Sequence, residues 1–221
     1  MTGPFNPRRT ARYPVAVGCD EVGRGALCGP VVVAAVWFDP RALPKDLFSD
    51  LDDSKKIAAP RRESLAGRIF EAAHVRVAAA SSSTIDRIGI RTATLDAMRR
   101  AIAGLARDLP APGLSVYVDG LDVPPGLTVP CEAVVKGDSS VPQIAASSIV
   151  AKTCRDRLMR MLALRHPQYR WERNAGYGTA DHLDALARFG PTRHHRQSFR
   201  PVSQLSLGLD ALVGAVLEDV G

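Results

Sequence analysis

Short runs of apolar residues, some alternating and some continuous, predict five strands in this chain. Residues 15–19 alternate large and small side chains, and residues 31–38 form a β-branched apolar run. The turn-rich stretch GRGALCG between them predicts an antiparallel hairpin. The alternating stretch HVRVAAA, residues 74–80, predicts a third strand. Two shorter strands are predicted at residues 114–118 and 131–135.

Apolar positions at helical spacing predict helices in four places: residues 61–73, 91–109, 181–189 and 205–220. Ser140 followed by Gln143, with Pro142 between them, predicts a capping box at the start of a further helix that runs toward residue 164. Three strands, followed by helices that alternate with two more strands, predict an α/β domain with a mixed sheet. The last third of the chain is helical and basic.

The charge of the chain points to an anionic partner. Its 221 residues carry 29 Lys and Arg against 23 Asp and Glu, a net charge of +6 with a pI of about 9.5. This favours nucleic acid, although solubility alone is an alternative reason for the excess. Only five of the 29 basic residues are lysines, and four of them fall in motifs described below.

Cysteine usage and hydropathy predict a cytoplasmic protein that does not enter a membrane. The four cysteines have no Cys-x-x-Cys spacing and are expected to be reduced packing residues. Residues 1–13 have no apolar h-region and are expected to form a loose basic tail. The longest apolar run, residues 31–38, is too short to span a bilayer. We expect an α/β core over residues 14–155 and a helical part over residues 156–221 of the same compact domain.

Acidic residues stand at the ends of three predicted strands: Asp20 and Glu21, Asp119, and Asp138. Ligands of open α/β sheets bind beyond the carboxyl ends of parallel strands, so parallel neighbours would bring these carboxylates together. Two unit charges about 4 Å apart repel by roughly 4 kcal/mol at an effective dielectric constant of 20. Since the net stability of a domain is only ~5–15 kcal/mol, several such pairs require protonation or bound cations. Oxygen ligands suit Mg²⁺ or Mn²⁺.

Two considerations leave the metal site open at this point. Adjacent residues of a regular strand point to opposite faces, so Asp20 and Glu21 share a site only where the strand bulges or ends. Gly23 favours an end. Each acid taken singly is also typical of a solvated strand end or a turn, as in Asp119-Gly120.

Motifs in a fixed order along about residues 14–200 resemble those of the bacterial type 2 ribonuclease H family, ribonuclease HII. They are DEVGRG (20–25), DDSKK (52–56), YVDG (117–120), VVKGD (134–138), AASSIVAKTCRD (145–156), GYGT (176–179) and HHRQSF (194–199). The resemblance implies a ribonuclease H fold, in which a five-stranded mixed sheet is flanked by helices and followed by a C-terminal helical extension. It also implies a monomer whose partners are RNA–DNA hybrids and DNA with embedded ribonucleotides.

The same resemblance implies an endonuclease that hydrolyses the RNA of RNA–DNA hybrids. It would also cut on the 5′ side of single ribonucleotides in DNA, leave 3′-hydroxyl and 5′-phosphate ends, and so initiate ribonucleotide excision. The family's four acids fall on Asp20, Glu21, Asp119 and Asp138, which would bind two divalent ions, Mn²⁺ or Mg²⁺, about 3.5–4 Å apart. Asp20 would bridge both ions, Asp138 would hold the ion that activates water, and Glu21 and Asp119 would hold the ion at the leaving 3′ oxygen.

Gly23, Arg24 and Gly25 are the residues expected to distinguish RNA from DNA. Detecting a 2′-hydroxyl needs close approach of backbone groups, which glycine permits, and arginine supplies charge for a phosphate. The alternative is a hairpin turn that merely needs glycine. By resemblance, Tyr177 packs on the deoxyribose that follows the ribonucleotide. The alternative for Tyr177 is a side chain wedged between helices.

Further residues are candidates for phosphate contacts: Ser54, Lys55, Lys56, Lys136, Ser139, Ser148 and Lys152. Each lysine could equally be an ordinary surface charge. The basic cluster at residues 193–196 is expected to contact the nucleic-acid backbone or to support the structure, and His182 and His194 are not expected to bind metal. Asn174-Ala175 stands where many family members carry a lysine before GYGT, so Arg170 or Arg173 would have to replace that contact.

Two alternative functions remain at this point. Another metal-dependent nuclease of ribonuclease H-like fold, such as a junction resolvase or an exonuclease, would share the acids without needing the GRG turn or a tyrosine. A catalytically silent hybrid-binding protein would have lost at least one acid, and all four are present.

Overall fold

A computed structural model of the chain describes residues 16–38, 43–109 and 114–205. Its five-stranded mixed sheet has the order β3-β2-β1-β4-β5 and confirms the predicted fold class. The strands are β1 (Ala16–Val22), β2 (Val31–Trp37), β3 (His74–Ala80), β4 (Ser115–Asp119) and β5 (Cys131–Val134). The predicted tail at residues 1–13, and all but the first residue of the predicted helix at 205–220, lie outside the described residues.

The helices that were predicted within the described residues are present, with ends shifted by a few residues. The helices are α1 (Lys45–Asp50), α2 (Ala59–Ala72), α3 (Ser82–Ile88), α4 (Ile90–Asp108), α5 (Pro142–Arg165), α6 (Trp171–Asn174) and α7 (Ala180–Phe189), and residues 200–205 are also helical. Short 3₁₀ turns at Gly137–Ser139 and Pro167–Tyr169 lie between them. Among the described residues, no helix combines the length and the hydropathy needed to cross a membrane.

Strand pairing places the carboxyl ends of three strands at one edge of the sheet. β1 pairs antiparallel with β2, which confirms the predicted hairpin. β1 also pairs parallel with β4, and β4 pairs parallel with β5. The three strands that precede the acids are therefore parallel neighbours, as the metal hypothesis requires.

The described residues fall into two compact units. The first contains the residues up to Val22 together with Val32–Ala79 and Thr94–Arg155, and the second contains Gly23–Val31, Ala80–Ala93 and the residues from Asp156. In the first unit, alternate residues of β2 enter two different apolar clusters. Ala34 and Val36 pack among residues of α1, α2 and α5, whereas Val33 and Ala35 pack with α4. The period of two along the strand thus produces a sheet that is covered on both faces.

Helix α5 lies in direct contact with β1 at Gly18. A Cβ atom at this position would stand 2.1 Å from the carbonyl carbon of Gln143, so only glycine fits. The Ser147 hydroxyl donates to the carbonyl oxygen of Gly18 at 2.8 Å. This close approach fixes the strand two residues before Asp20.

The predicted helix is present and begins at Pro142, but the capping-box prediction was wrong. The Ser140 hydroxyl donates to the carbonyl of Lys136 at 3.5 Å, and the Val141 N–H donates to the carbonyl of Gly137 at 2.7 Å. The Gln143 amide is buried and has no hydrogen-bond partner among the described residues. The residues just before the helix are hydrogen-bonded to the preceding 3₁₀ turn and its flanking residue Lys136, so no reciprocal side-chain cap forms.

The second unit has its own apolar core around Trp171 and Tyr169, whose rings stack with centroids 5.0 Å apart. An isolated β-bridge between Cys28 and His195 joins two of its segments. All four cysteines are free thiols; Cys19 and Cys28 are buried, and the other two are half-buried.

Candidate active site in the first unit and candidate ribose-reading turn in the second

Asp20 is the most buried of the four predicted catalytic acids. Its residue is only 5% exposed. Burial, followed by the negative charges of Glu21 and Asp119, raises the pKa of the Asp20 carboxyl well above its usual range. A hydrogen bond from the Ser148 hydroxyl and one from the Glu21 N–H at 2.7 Å lower this pKa and so favour the carboxylate. The site therefore stabilises a negative charge by hydrogen bonds while neighbouring acids oppose it.

The strand predicted at residues 15–19 was too short, because β1 continues through both acids to Val22; Gly23, which favoured an end, directly follows it. The antiparallel register continues through Asp20 opposite Ala34 and Glu21 opposite Val33. The parallel register with β4 ends at Cys19 opposite Val118. Asp20 and Glu21 therefore lie beyond Cys19, the last residue of β1 that pairs with β4.

Asp119 ends β4 and is held by the turn that follows β5. Its Oδ1 accepts a hydrogen bond from the Gly137 N–H at 2.7 Å. A Cβ atom at Gly137 would lie 2.5 Å from Cδ1 of Ile144, so glycine permits this approach. Burial is the main cause that raises the pKa of Asp119, and the charge of Asp138 raises it further, whereas the Lys55 charge lowers it. Asp138 lies in the 3₁₀ turn rather than directly at the strand end.

The donor set fits a hard divalent cation in its chemistry. The negative charge of Asp119 raises the pKa of Asp20, and a cation bound beside these carboxylates would relieve that repulsion. In the part of the chain that the structure describes, no three His, Cys, Asp or Glu side chains are grouped closely enough to hold a metal ion between them. The register brings the four acids to one edge of the sheet, and their side chains are not drawn together around one point.

Two predicted phosphate-binding serines lie inside the protein beside Asp20. Ser54 and Ser148 are 3% and 7% exposed, and their hydroxyls are hydrogen-bonded to each other at 2.8 Å. Because the Ser148 hydroxyl also bonds Asp20, the two serines form a chain of hydrogen bonds that ends at the carboxylate.

The predicted lysines differ in their surroundings. Lys55 is exposed, and its charge acts on Asp119. Lys56 forms an exposed ion pair with Asp52 at 3.3 Å. Lys136 is exposed and adopts a left-handed backbone with φ 54°, directly before the turn that carries Asp138. Lys152 is half-buried on α5, and Ser139 is exposed with its hydroxyl 3.3 Å from Asp138 Oδ1.

In the second unit, Gly23, Arg24 and Gly25 form a turn with two different uses for glycine. Gly23 is buried and has φ 90°, a conformation that glycine adopts without strain. Gly25 is exposed and does not have a positive φ, and a Cβ atom there would meet nothing within 4 Å. In the part of the chain that the structure describes, neither packing nor backbone conformation therefore requires glycine at position 25.

Tyr177 lies in a turn that Asn174 holds together. The Asn174 side chain donates to the carbonyl of Tyr169 and accepts from the N–H of Gly176, both at 2.8 Å. Its carbonyl accepts from the N–H of Tyr177. Asn174 thus has a structural role at the position where the sequence departs from the family pattern. Of the two arginines predicted to compensate, Arg170 forms an exposed ion pair with Asp181 at 3.2 Å, and Arg173 is exposed.

Buried histidines support this turn and were not identified as such from the sequence. His182 Nδ1 lies 2.9 Å from the carbonyl of Tyr177, and its Nε2 accepts from Trp171 at 3.0 Å and contacts Nε2 of His195 at 3.2 Å. Burial lowers the pKa of His182, and burial followed by the His182 charge lowers the pKa of His195 to about 3. Both rings are therefore neutral at pH 7 and act as a structural network.

Comparison with known proteins places these features in a family context. A family model described as Ribonuclease HII matches residues 17–202. Ribonuclease HII of Paramagnetospirillum magneticum is 53% identical over 193 residues, which cover 87% of this chain and 94% of that protein. A chain of the PCNA:RNase HII complex from Archaeoglobus fulgidus matches with TM-score 0.70 and 27% identity, covering 86% of this chain and 96% of that one. Bst-RNase HIII, solved in complex with Mn²⁺, shares the fold with TM-score 0.73 at 20% identity over 90% of this chain and 72% of its own.

Proposed function

Because this chain belongs to the ribonuclease HII family, we propose that it is an endonuclease that hydrolyses the RNA strand of RNA–DNA hybrids and cuts 5′ of single ribonucleotides embedded in DNA. The products are a 3′-hydroxyl and a 5′-phosphate, and the cut initiates ribonucleotide excision. We further propose that it acts as a monomer in the cytoplasm, where its four free thiols remain reduced.

The observation that carries the proposal is the placement of Asp20 and Asp119 by parallel strands. Burial raises the pKa of both carboxyls. The charges of Glu21 and Asp119 raise that of Asp20 further, and the charge of Asp138 raises that of Asp119, which is an electrostatic environment that a divalent cation relieves. Asp20, Glu21, Asp119 and Asp138 are the residues that would hold two ions, Mn²⁺ or Mg²⁺. When bound, the ions supply activation of water and neutralisation of charge on the leaving oxygen. Asp20 itself is oriented by the hydrogen-bonded serines Ser54 and Ser148.

The exposed Gly25 supports a role for the turn in reading the ribose. Among the described residues nothing requires glycine there, so the absence of a side chain leaves the backbone of the turn open to the close approach of a ligand. A 2′-hydroxyl both donates and accepts hydrogen bonds, so backbone N–H and C=O groups can detect it. Arg24 is exposed next to it and supplies charge for the adjacent phosphate.

Tyr177 and the basic residues complete the proposed contacts with substrate. The half-buried Tyr177 would pack on the deoxyribose after the ribonucleotide, where a 2′-hydroxyl would clash. Lys55, Lys56, Lys136 and Lys152 would contact phosphates, with Ser139 beside them. The net charge of +6 supports this assignment because phosphate neutralisation supplies much of the affinity for nucleic acid.

The test uses a DNA duplex with one embedded ribonucleotide, end-labelled on the strand that carries it. The purified protein is incubated with it in Mg²⁺, Mn²⁺ or EDTA, with an all-DNA duplex and a continuous RNA–DNA hybrid in parallel. We expect a metal-dependent cut on the 5′ side of the ribonucleotide and none in the all-DNA duplex. Cutting of the continuous hybrid alone would refute the proposed reading of single ribonucleotides.

A matched variant separates catalysis from binding in the same assay. Asp119→Asn keeps the side-chain oxygen that accepts from Gly137 and removes the charge, so we expect a folded protein that binds the duplex without cutting it. Cutting by Asp119→Asn at the wild-type rate would refute the metal assignment. Binding without cutting by the wild type would instead favour the silent hybrid-binding alternative.

A further inference from the structure

The side chain of Arg196 is buried against the turn formed by Gly23, Arg24 and Gly25. The residue is fully buried, and its guanidinium donates to three backbone carbonyls. Nη2 lies 2.7 Å from the oxygen of Gly23, Nη1 lies 2.7 Å from the oxygen of Arg24, and Nε and Nη2 lie 3.1 and 3.0 Å from the oxygen of Gly29. The guanidinium also lies over the ring of Phe199, with its carbon 5.0 Å from the centroid.

These bonds determine which way two successive peptide groups face. The carbonyl of Gly23 belongs to the same peptide plane as the N–H of Arg24, and the carbonyl of Arg24 to the same plane as the N–H of Gly25. No peptide bond among the described residues is cis, and in a trans peptide the C=O and the N–H point in opposite directions. Because both carbonyls point toward one guanidinium, the N–H groups of Arg24 and Gly25 point away from it.

The guanidinium itself is held in place from the backbone side. The N–H of Arg196 donates to the carbonyl of Leu27 at 2.9 Å. The carboxylate of Asp86 then accepts from the N–H groups of Gln197 and Ser198 at 3.0 and 2.9 Å and from the Ser198 hydroxyl at 2.6 Å. The arginine is thus positioned before any ligand arrives, and ordering it costs no further entropy on binding.

We infer that Arg196 is the positioning residue that makes the turn selective for a ribonucleotide, by aiming the N–H groups of Arg24 and Gly25 at the 2′-oxygen of the ribose. The inference rests on the proposed function of the turn and adds the residue that sets its geometry. Only the planar fork of arginine supplies several donors in fixed directions, whereas a lysine would place one ammonium at the same site. Arg196 touches no substrate and acts through the backbone of the turn.

The test measures binding without turnover, in a protein that already carries Asp119→Asn. Fluorescence anisotropy gives the Kd for a duplex with one ribonucleotide and for the same duplex made of DNA only, both in Mg²⁺. The Kd for the all-DNA duplex divided by the Kd for the duplex with one ribonucleotide reports ribose reading. Loss of folded protein lowers the apparent binding of both duplexes alike and leaves this ratio unchanged. We expect Arg196→Lys to reduce the ratio by about fivefold to tenfold, the effect of losing one well-aligned hydrogen bond. Affinity for the all-DNA duplex should change by less than about twofold, because its phosphate contacts are unaffected.

Arg200→Lys is the matched control, because Arg200 is exposed on the same segment and undergoes the same chemical change. Its Kd ratio should equal that of the parent. A ratio near 1 in the parent itself would refute ribose reading by the turn, and the inference with it. A selective parent whose ratio survives Arg196→Lys would refute the inference alone. An equal loss of affinity for both duplexes, in a variant that circular dichroism shows to be folded, would also refute it and would indicate that the N–H groups bind a phosphate oxygen.

A second variant decides the question if Arg196→Lys does not fold, as judged by circular dichroism. Asp86→Asn keeps the Arg196 side chain and weakens the three hydrogen bonds that hold its segment, so the guanidinium is less firmly positioned. We expect this variant to lower the Kd ratio by about twofold, since each weakened bond contributes only in part to the position of Arg196. An unchanged ratio in a folded Asp86→Asn protein would overturn the inference.

Discussion

Replacing Gly18 by alanine should separate β1 from α5 and destabilise the protein. The new Cβ would stand 2.1, 2.3 and 2.4 Å from backbone atoms of Gln143 and Ile144, far inside the 3.4 Å at which ordinary contact begins. Backbone atoms within a helix cannot rotate away as a side chain can, so the strand and the helix must move apart. Overpacking typically costs about 1–3 kcal/mol, and we expect about 3 kcal/mol here because the obstacle is backbone on every side.

Urea unfolding followed by circular dichroism measures the change in the free energy of unfolding, and thermal unfolding measures the change in Tm. With a loss of about 3 kcal/mol, the Tm should fall by about 6–12 °C for a chain of this size. Cleavage should fall too, since Gly18 is two residues before Asp20 and accepts the Ser147 hydroxyl that fixes the strand.

Gly67→Ala is the matched control for the same chemical change. Gly67 lies inside α2, and a Cβ atom there would meet nothing within 4 Å. Alanine is favoured over glycine within a helix, so this variant should gain about 0.5–1 kcal/mol. The two variants thus differ in sign, and a Gly18→Ala protein as stable as the wild type would refute the close-packing argument.

Four more outcomes are expected. Gly25→Ala should leave the Tm unchanged and weaken cleavage at an embedded ribonucleotide, because its added methyl group faces open space; a loss of Tm would contradict this. Tyr177→Ala should slow cleavage at a lone ribonucleotide about tenfold, the value of one stacking contact, while Mn²⁺ affinity by titration calorimetry stays the same. His195 stays neutral in the folded protein because its pKa is about 3, so below pH ~6.5 the unfolded chain binds one more proton than the folded protein. The free energy of unfolding should therefore fall by up to ~1.4 kcal/mol per pH unit from pH ~6.5 toward pH 3, and less steeply in His195→Asn. Ala175→Lys should tighten duplex binding and steepen its dependence on log salt by about one phosphate contact.

Elements with local signals could be predicted from the sequence. The alternation in HVRVAAA predicted β3 with its observed bounds, and the GRGALCG turn predicted the β1–β2 hairpin. In each case the signal lies within a few residues of the feature that it predicts.

The failures have a shared physical origin in contacts that are distant or that compete. The Ser140–Gln143 pattern has the spacing of a capping box. The Ser140 hydroxyl instead donates to the carbonyl of Lys136, directly before the 3₁₀ turn, and so does not cap the helix. For the basic cluster at residues 193–196, nucleic-acid contact and structural support were both left open, and Arg196 has the structural role. Its partners, the carbonyls of Gly23 and Arg24, could not be named from the sequence, because no local pattern links them to it.

The hydrogen bond between Arg196 and Gly23 joins positions 173 apart in the chain, and this separation sets an order of events during synthesis. All four carboxylates have been synthesised by residue 138, whereas Arg196 follows 58 residues later. At about 5–20 residues per second, the ribosome needs roughly 3–12 s to cover that stretch. Throughout this time the nascent chain carries its acids and its glycine turn without the side chain that shapes the turn. Closing a loop of this length also costs conformational entropy, and contacts between distant residues form slowly. We therefore expect the turn to reach its final form among the last events of folding.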